Sequence, residues 1–207
     1  KAMLDYELTV YQCKGEDSEK LDWFQTINIA GVELTKQELR NAVYTGKWVT
    51  EAKKHFSKRQ NPAQQLYGDY LSGASLRQEF LEIALDWISH RNGESIEEYM
   101  TKHQHDDDAS ELWQYFKSVM AWLENVFSNH SKERLKLMKG QKWGYYYNTH
   151  KDDIFNAQKL EQRIVELITD KEVDNKKGIY AFLLTGQEKH LSLRTFDDKE
   201  KHEMYTG

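Results

Sequence analysis

From Ser110 to Phe127 the apolar residues fall at Leu112, Phe116, Val119, Met120, Leu123 and Phe127. Spacings of three and four are the period of one helix face; a strand would turn inward every second residue. The same period returns at Leu76, Phe80, Ile83, Ala84, Trp87 and Ile88, and again at Leu160, Ile164, Leu167 and Ile168. One proline and eleven glycines in 207 residues leave little to interrupt it. The expected fold is mainly α, a multi-helix bundle-like body with helix packed on helix. A small strand element is expected near the N-terminus. There Leu4, Tyr6, Leu8, Val10 and Gln12 alternate with Asp5, Glu7, Thr9 and Tyr11.

End signals divide the chain further. Ser18 to Ile27 reads as a helix with Leu21, Phe24 and Ile27 on one face, followed by a turn at Gly31. Thr35 and Glu38 form a capping box, and so do Ser95 and Glu98: hydroxyl and carboxylate each answer an orphan amide of the first turn. Leu39, Ala42 and Val43 face inward, with Gly46 expected as a C′ glycine. A short helix over Lys47 to Phe56 carries Lys53 and Lys54 outward, with Lys58 and Arg59 beyond. Asn61-Pro62 reads as a break, and Asn92-Gly93 as a stop. KHQHDDDAS, starting at Lys102, is an acidic loop. WGYYYNTH, 143–150, reads as helix, with Asp152-Asp153 as the break after it. Asn156 caps a helix through Ile168, and Lys177 to Leu184 form a short helix closed by Gly186. Leu191 to Phe196 reads as extended, and Asp197 to Tyr205 as a solvent-facing helix.

Composition narrows the classes. Six Trp, twelve Tyr and eight Phe compensate a hydrophobic fraction of only 39%. A net charge of −5 argues against one dominant basic surface. Cys13 stands alone, so neither a disulfide framework nor a thiolate zinc site can form within the chain, which fits a reducing, cytoplasmic setting. No run is long and apolar enough for a membrane span, and no signal peptide is evident. An opening at Lys1-Ala2 and an end at Gly207 within a charged stretch suggest a piece of a longer protein.

Three groups of residues could carry chemistry. His103, His105 and Asp106 to Asp108 are metal-ligating types, but i and i+2 histidines converge only from a strand. A solvated acidic loop is the plainer account. Residues 131–142 hold Lys132, Arg134, Lys136, Lys139 and Lys142 against Glu133 alone, whereas 94–111 hold seven anions and one cation. Cations beside Trp143 and Tyr145 to Tyr147 suit a phosphate backbone or single strand, with Arg194 and Lys199 as extensions. The plainer account is a solvated helix face beside buried aromatics. Glu38, Arg40, Asn41 and Asn28 could form a polar cluster, or Glu38 could serve only as a cap. Phosphate-binding loops, zinc-protease pairs and nucleophile elbows are absent.

Phe24, Ile27, Asn28, Gly31, Leu34, Glu38, Leu39, Arg40, Asn41 and Ala42 spell F-x-x-I-N-x-x-G-x-x-L-x-x-x-E-L-R-N-A. This phrase resembles the later part of the domain found in GmrSD-type modification-dependent restriction enzymes. Those proteins carry a ParB/sulfiredoxin-like nucleotide-handling domain followed by helices. LDYELTVYQC is similar to the strand that leads into the phrase. TFDDKEKHEMYTG resembles the lead-in to an HNH nuclease module in one subgroup.

The resemblance implies residues 1–60 as the tail of a ParB-like domain with connecting helices. Residues 61–196 would be a helical domain, and 197–207 the approach to an HNH module. It implies that Asn28 and Gly31 turn beside an active-site pocket, with Leu34, Glu38, Arg40 and Asn41 as supporting groups. The family's Asp-Gly-Gln-Gln-Arg phrase and the HNH motif both lie outside these residues. A divalent metal is expected only in that nuclease module, and no cofactor in this stretch. The function expected is a non-catalytic helical segment of a DNA-targeting HNH protein, whose partners are DNA and the flanking domains. The alternative is a non-enzymatic helical module that docks a protein through its aromatics.

Overall fold

The computed structural model describes residues 12–27 and 34–193. Eleven α-helices form among the described residues: α1 (Asp17–Ile27), α2 (Lys36–Val43), α3 (Lys47–Phe56), α4 (Pro62–Tyr67), α5 (Glu79–Asn92), α6 (Ile96–His103), α7 (Ser110–Val126), α8 (Lys132–Met138), α9 (Trp143–His150), α10 (Ala157–Thr169) and α11 (Ile179–Thr185). Short 3-10 turns sit at Ser75–Arg77, Lys176–Gly178 and Glu188–His190. Among these residues β pairing is confined to an isolated antiparallel bridge between Val173 and Leu193. Of the strand expected over Leu4 to Cys13, only Gln12 and Cys13 are described, and they carry no regular structure. Asn28, Gly31, Arg194, Lys199 and the terminal helix expected over Asp197 to Tyr205 lie outside the described residues.

The stripe that dictated the fold builds its centre. Leu112, Phe116, Val119, Met120 and Leu123 of α7 are each 0% exposed. Burying each such side chain is worth roughly 1.5–3 kcal/mol, which outweighs any single helix-propensity term. α5 and α9 pack against α7 and against each other, with α3 also on α7. From α5 come Leu81, Ala84, Leu85 and Ile88, all fully buried. Four rings stack through this centre. His55 lies 4.8 Å from Trp113 at 8°, Trp113 lies 5.8 Å from Phe116 at 16°, and Trp87 lies 5.8 Å from Phe116 at 12°. The column joins α3, α7 and α5.

Gly144 sets how closely α9 approaches α5. A Cβ built there would stand 2.2 Å from Trp87 Cγ, 2.3 Å from its Cβ and 2.5 Å from its Cδ2. Only a glycine lets the α9 backbone rest on the root of that indole. The preceding Trp143 is fully buried and its ring nitrogen donates to the Met138 carbonyl at 3.1 Å, which locks the entry into α9.

Both capping boxes form with their two bonds each. Gly93 ends α5 and Gly186 ends α11, both at φ 69°. Four expectations need correction. Ala42, expected to face inward with Leu39 and Val43, is exposed. Gly46 is extended, not left-handed (φ 171°), and precedes α3. Its need is space, since a Cβ would meet the Gln104 carbonyl oxygen at 2.7 Å. Asn61-Pro62 begins α4 rather than breaking the chain: the Asn61 side chain accepts the Gln64 amide at 2.9 Å, and Pro62 has no amide to orphan. α5 starts only at Glu79, because Gln78 adopts φ 67°. Leu76 falls in the preceding 3-10 turn and stands 60% exposed, outside the stripe its spacing suggested.

Candidate functional site

Of the family-like phrase, Glu38, Leu39, Arg40, Asn41 and Ala42 lie on α2. Arg40 is the hub. Its Nε donates to Glu97 at 2.7 Å, and one terminal nitrogen donates to Glu82 at 2.9 Å and Gln37 at 3.3 Å. The fully buried Gln37 donates onward to Asn41 at 2.9 Å, and Asn41 donates to Gln78 at 3.1 Å. The i to i+4 spacing of Gln37 and Asn41 places both on one helix face, and charge-assisted bonds anchor the chain of amides at its Arg40 end. Glu38 closes the Thr35 cap and lies 3.5 Å from Arg77. Leu34 is 39% exposed ahead of the cap. Arg40, Asn41 and Glu38 therefore tie α2 to α5, α6 and the turn before α5.

The acidic loop also satisfies itself. His103 Nδ1 lies 2.7 Å from Asp106, Lys47 pairs with Asp107 at 2.8 Å, and Asp108 accepts the Ser110 amide at 2.8 Å. That amide bond holds the Asp108 carboxyl below its ordinary range. Arg91 takes Glu111 at 2.9 Å. Among the described residues no group of three or more His, Cys, Asp or Glu is placed to hold a metal ion.

The basic run splits by helical phase. Ser131 caps α8, so Lys132 and Lys136 share one exposed face, while Arg134, two positions along, points inward. Arg134 is 6% exposed and its guanidinium bonds Glu161 of α10 at 2.6 Å. Tyr180 beside it is pushed up to about 12, chiefly by burial. Arg134 is a strut between α8 and α10, and this corrects its place among candidate contacts. Lys139 and Lys142 flank a turn pinned by Gly140, whose amide donates to the Tyr70 carbonyl at 2.8 Å, and by Gln141, which donates to the Lys177 carbonyl at 2.7 Å. Lys132, Lys136, Lys139 and Lys142 are all exposed and none forms an ion pair among the described residues. Lys142 instead lies over the Tyr145 ring at 4.8 Å.

Tyr145 also lines a cleft of about 350 Å³, together with His90, Tyr146, Thr149, His150, Thr185 and Gln187. The His90 ring stacks on Tyr145 at 3.8 Å. Tyr145 donates to Asp86 at 3.0 Å. The Asn148 amide nitrogen donates to the Trp87 carbonyl at 3.0 Å and lies 3.2 Å from His90 Nδ1. The Tyr115 hydroxyl answers the Asn148 oxygen at 2.9 Å. His150 Nδ1 bonds Asp153 at 2.7 Å. Sequence reading singled out Tyr145 and Tyr146 beside the cations, but not His90, His150, Thr185 or Gln187. The cleft's residues come from α5, α9 and the end of α11, and no local spacing links His90 to His150.

These features define a mainly helical chain, and no helix among the described residues is long and apolar enough to cross a membrane. Comparison with family models, curated proteins and solved structures returned no match.

Proposed function

We propose that this chain is the helical middle segment of a cytoplasmic, DNA-targeting HNH-endonuclease-like protein of restriction or phage-defence type. It contacts the phosphate backbone weakly through Lys132, Lys136, Lys139 and Lys142, and flanking domains supply the metal-dependent chemistry. The observation that carries the reading is the row of four exposed lysines without carboxylate partners, two of them fixed by an anchored turn. The resemblance at Phe24 to Ala42 supplies the DNA-targeting context. Lysines alone position a protein on a duplex and read no sequence.

The test is a titration of labelled duplex DNA at low and moderate salt. It compares the parent with a variant carrying alanine at the four lysines and Arg134 intact. Each neutralised phosphate contributes about 0.9 to the logarithmic salt slope, so four contacts give a slope near −3.6 that collapses in the variant. The purified chain is expected to leave plasmid uncut with divalent metal present. Equal affinity of parent and variant removes the lysines from binding. No affinity at low salt favours the protein-docking alternative.

A further inference from the structure

The cleft between α5, α9 and α11 has a polarity that the network behind it imposes. A backbone carbonyl only accepts, so the Trp87 oxygen fixes the nitrogen of Asn148 as the donor on that side. The second hydrogen of that nitrogen faces His90 Nδ1, which accepts it. The His90 proton is thereby placed on Nε2. His150 has the opposite arrangement: Asp153 accepts from Nδ1, so the neutral ring carries its lone pair on Nε2. Neither Nε2 has a hydrogen-bond partner among the described residues. With both rings neutral, one cleft thus presents a ring donor at His90 and a ring acceptor at His150, each oriented through its Nδ1 partner. Thr149 and Thr185 spend their protons on the Tyr145 and Ala181 carbonyls, so they offer oxygen lone pairs to the same space. Gln187 offers both kinds of group from an exposed rim. Lys142 lies over the ring of Tyr145, one of the residues that line the cleft, at 4.8 Å.

We propose that this cleft binds one unpaired nucleotide, its base edge read by His90 Nε2–H and His150 Nε2 and its phosphate met by Lys142. A nucleobase edge pairs donors with acceptors, as the two imidazoles do, and the Tyr146 side chain supplies apolar wall. The volume lies at the low end of the roughly 300–1,000 Å³ of small-molecule sites, which admits a nucleotide and excludes a duplex. The inference goes beyond the duplex-contacting reading and stands without it, because a free mononucleotide suffices to occupy the cleft.

The experiment is an amide-resolved NMR titration of the full chain with deoxyadenosine 5′-monophosphate, with deoxyadenosine and inorganic phosphate as separate arms. Saturable shifts at the end of α5, along α9 and at Thr185 to Gln187 are expected with the nucleotide, with weaker responses from either half. The His90→Gln, His150→Gln double variant should lose about tenfold in affinity, two modest hydrogen bonds. Gln187→Trp fills the rim from an exposed position, leaves the network untouched, and should abolish the shifts. A chain with Lys132, Lys136 and Lys139 changed to alanine should keep the nucleotide response while losing duplex affinity, which separates the two sites. The proposal is overturned by shifts absent or scattered over the surface, by inorganic phosphate matching the nucleotide, or by unchanged binding in the Gln187→Trp chain.

Discussion

Gly144→Ala pits two effects of opposite sign against each other. In an isolated helix the change is favourable by about 1 kcal/mol, because alanine restricts the unfolded backbone. Here the added methyl would sit 2.2 Å from Trp87 Cγ, where carbon contacts prefer about 3.5 Å or more. The shortfall is about 1.3 Å, and three atoms at the root of the indole share it, so rotation of the ring tip cannot relieve it. Trp87 is 3% exposed and stacked on Phe116, and its carbonyl holds Asn148 and Tyr115. α9 must lift from α5. Overpacking of this kind costs up to about 3 kcal/mol, so the net loss expected is about 2 kcal/mol. For a chain of this size that lowers the melting temperature by about 4–8 °C. Urea unfolding followed by far-ultraviolet circular dichroism measures it. Trp87→Leu in the same background should recover about 1 kcal/mol relative to the sum of the single changes, because the pair is in contact. A Gly144→Ala chain as stable as the parent would refute the seating of α9 on Trp87, since propensity alone would then decide.

Glu161→Ala leaves the buried Arg134 guanidinium unpaired and should cost about 3 kcal/mol in urea unfolding, whereas Arg134→Met, which frees a partly exposed carboxylate, should cost much less. Ser95→Ala should cost about 1 kcal/mol in the same assay, and Thr35→Ala more, because the Thr35 hydroxyl also donates to the Arg77 carbonyl at 3.2 Å. Burial lowers His55 from its ordinary 6.5, and its Nδ1 is buried without a partner. The unfolded chain therefore binds the extra proton first, so stability present above pH 6.5 is lost as pH falls through the depressed value. His55→Phe should flatten that acid limb in urea midpoints taken across the range, and an unchanged slope would refute it.

Apolar period and caps made most helices legible, because both are local. α7, α10 and the two capping boxes follow from residues within a turn or two of each other. What failed to show depended on distant partners. Nothing near Leu76 announces that Gln78 turns left-handed, and nothing near Gly46 announces the Gln104 carbonyl against it. Asn61-Pro62 carries its helix-start meaning locally, as a cap residue with proline at N1, although the same pair also reads as a break. Arg134 shows how phase refines composition: five cations in a row looked like one surface, and helical rotation turned the second of them into the core. The polar cluster at Arg40 was suggested by residue types, but Glu82, Glu97 and Gln78 enter from other helices. Of the His90 cleft only Tyr145 and Tyr146 stand out locally, because the rest of its order arises from one backbone carbonyl, that of Trp87.

The column of His55, Trp113, Phe116 and Trp87 has an optical consequence. Two indoles and a phenyl ring held nearly parallel within about 6 Å of their neighbours keep their transition dipoles at fixed mutual angles. The chain therefore generates strong asymmetric absorption in the aromatic region, with Phe116 as the ring that bridges two chromophores. That signal exists only while α3, α7 and α5 are locked face to face. A state that kept its helices but let the faces slide would retain the peptide band and lose the aromatic one, as loosely packed compact states do.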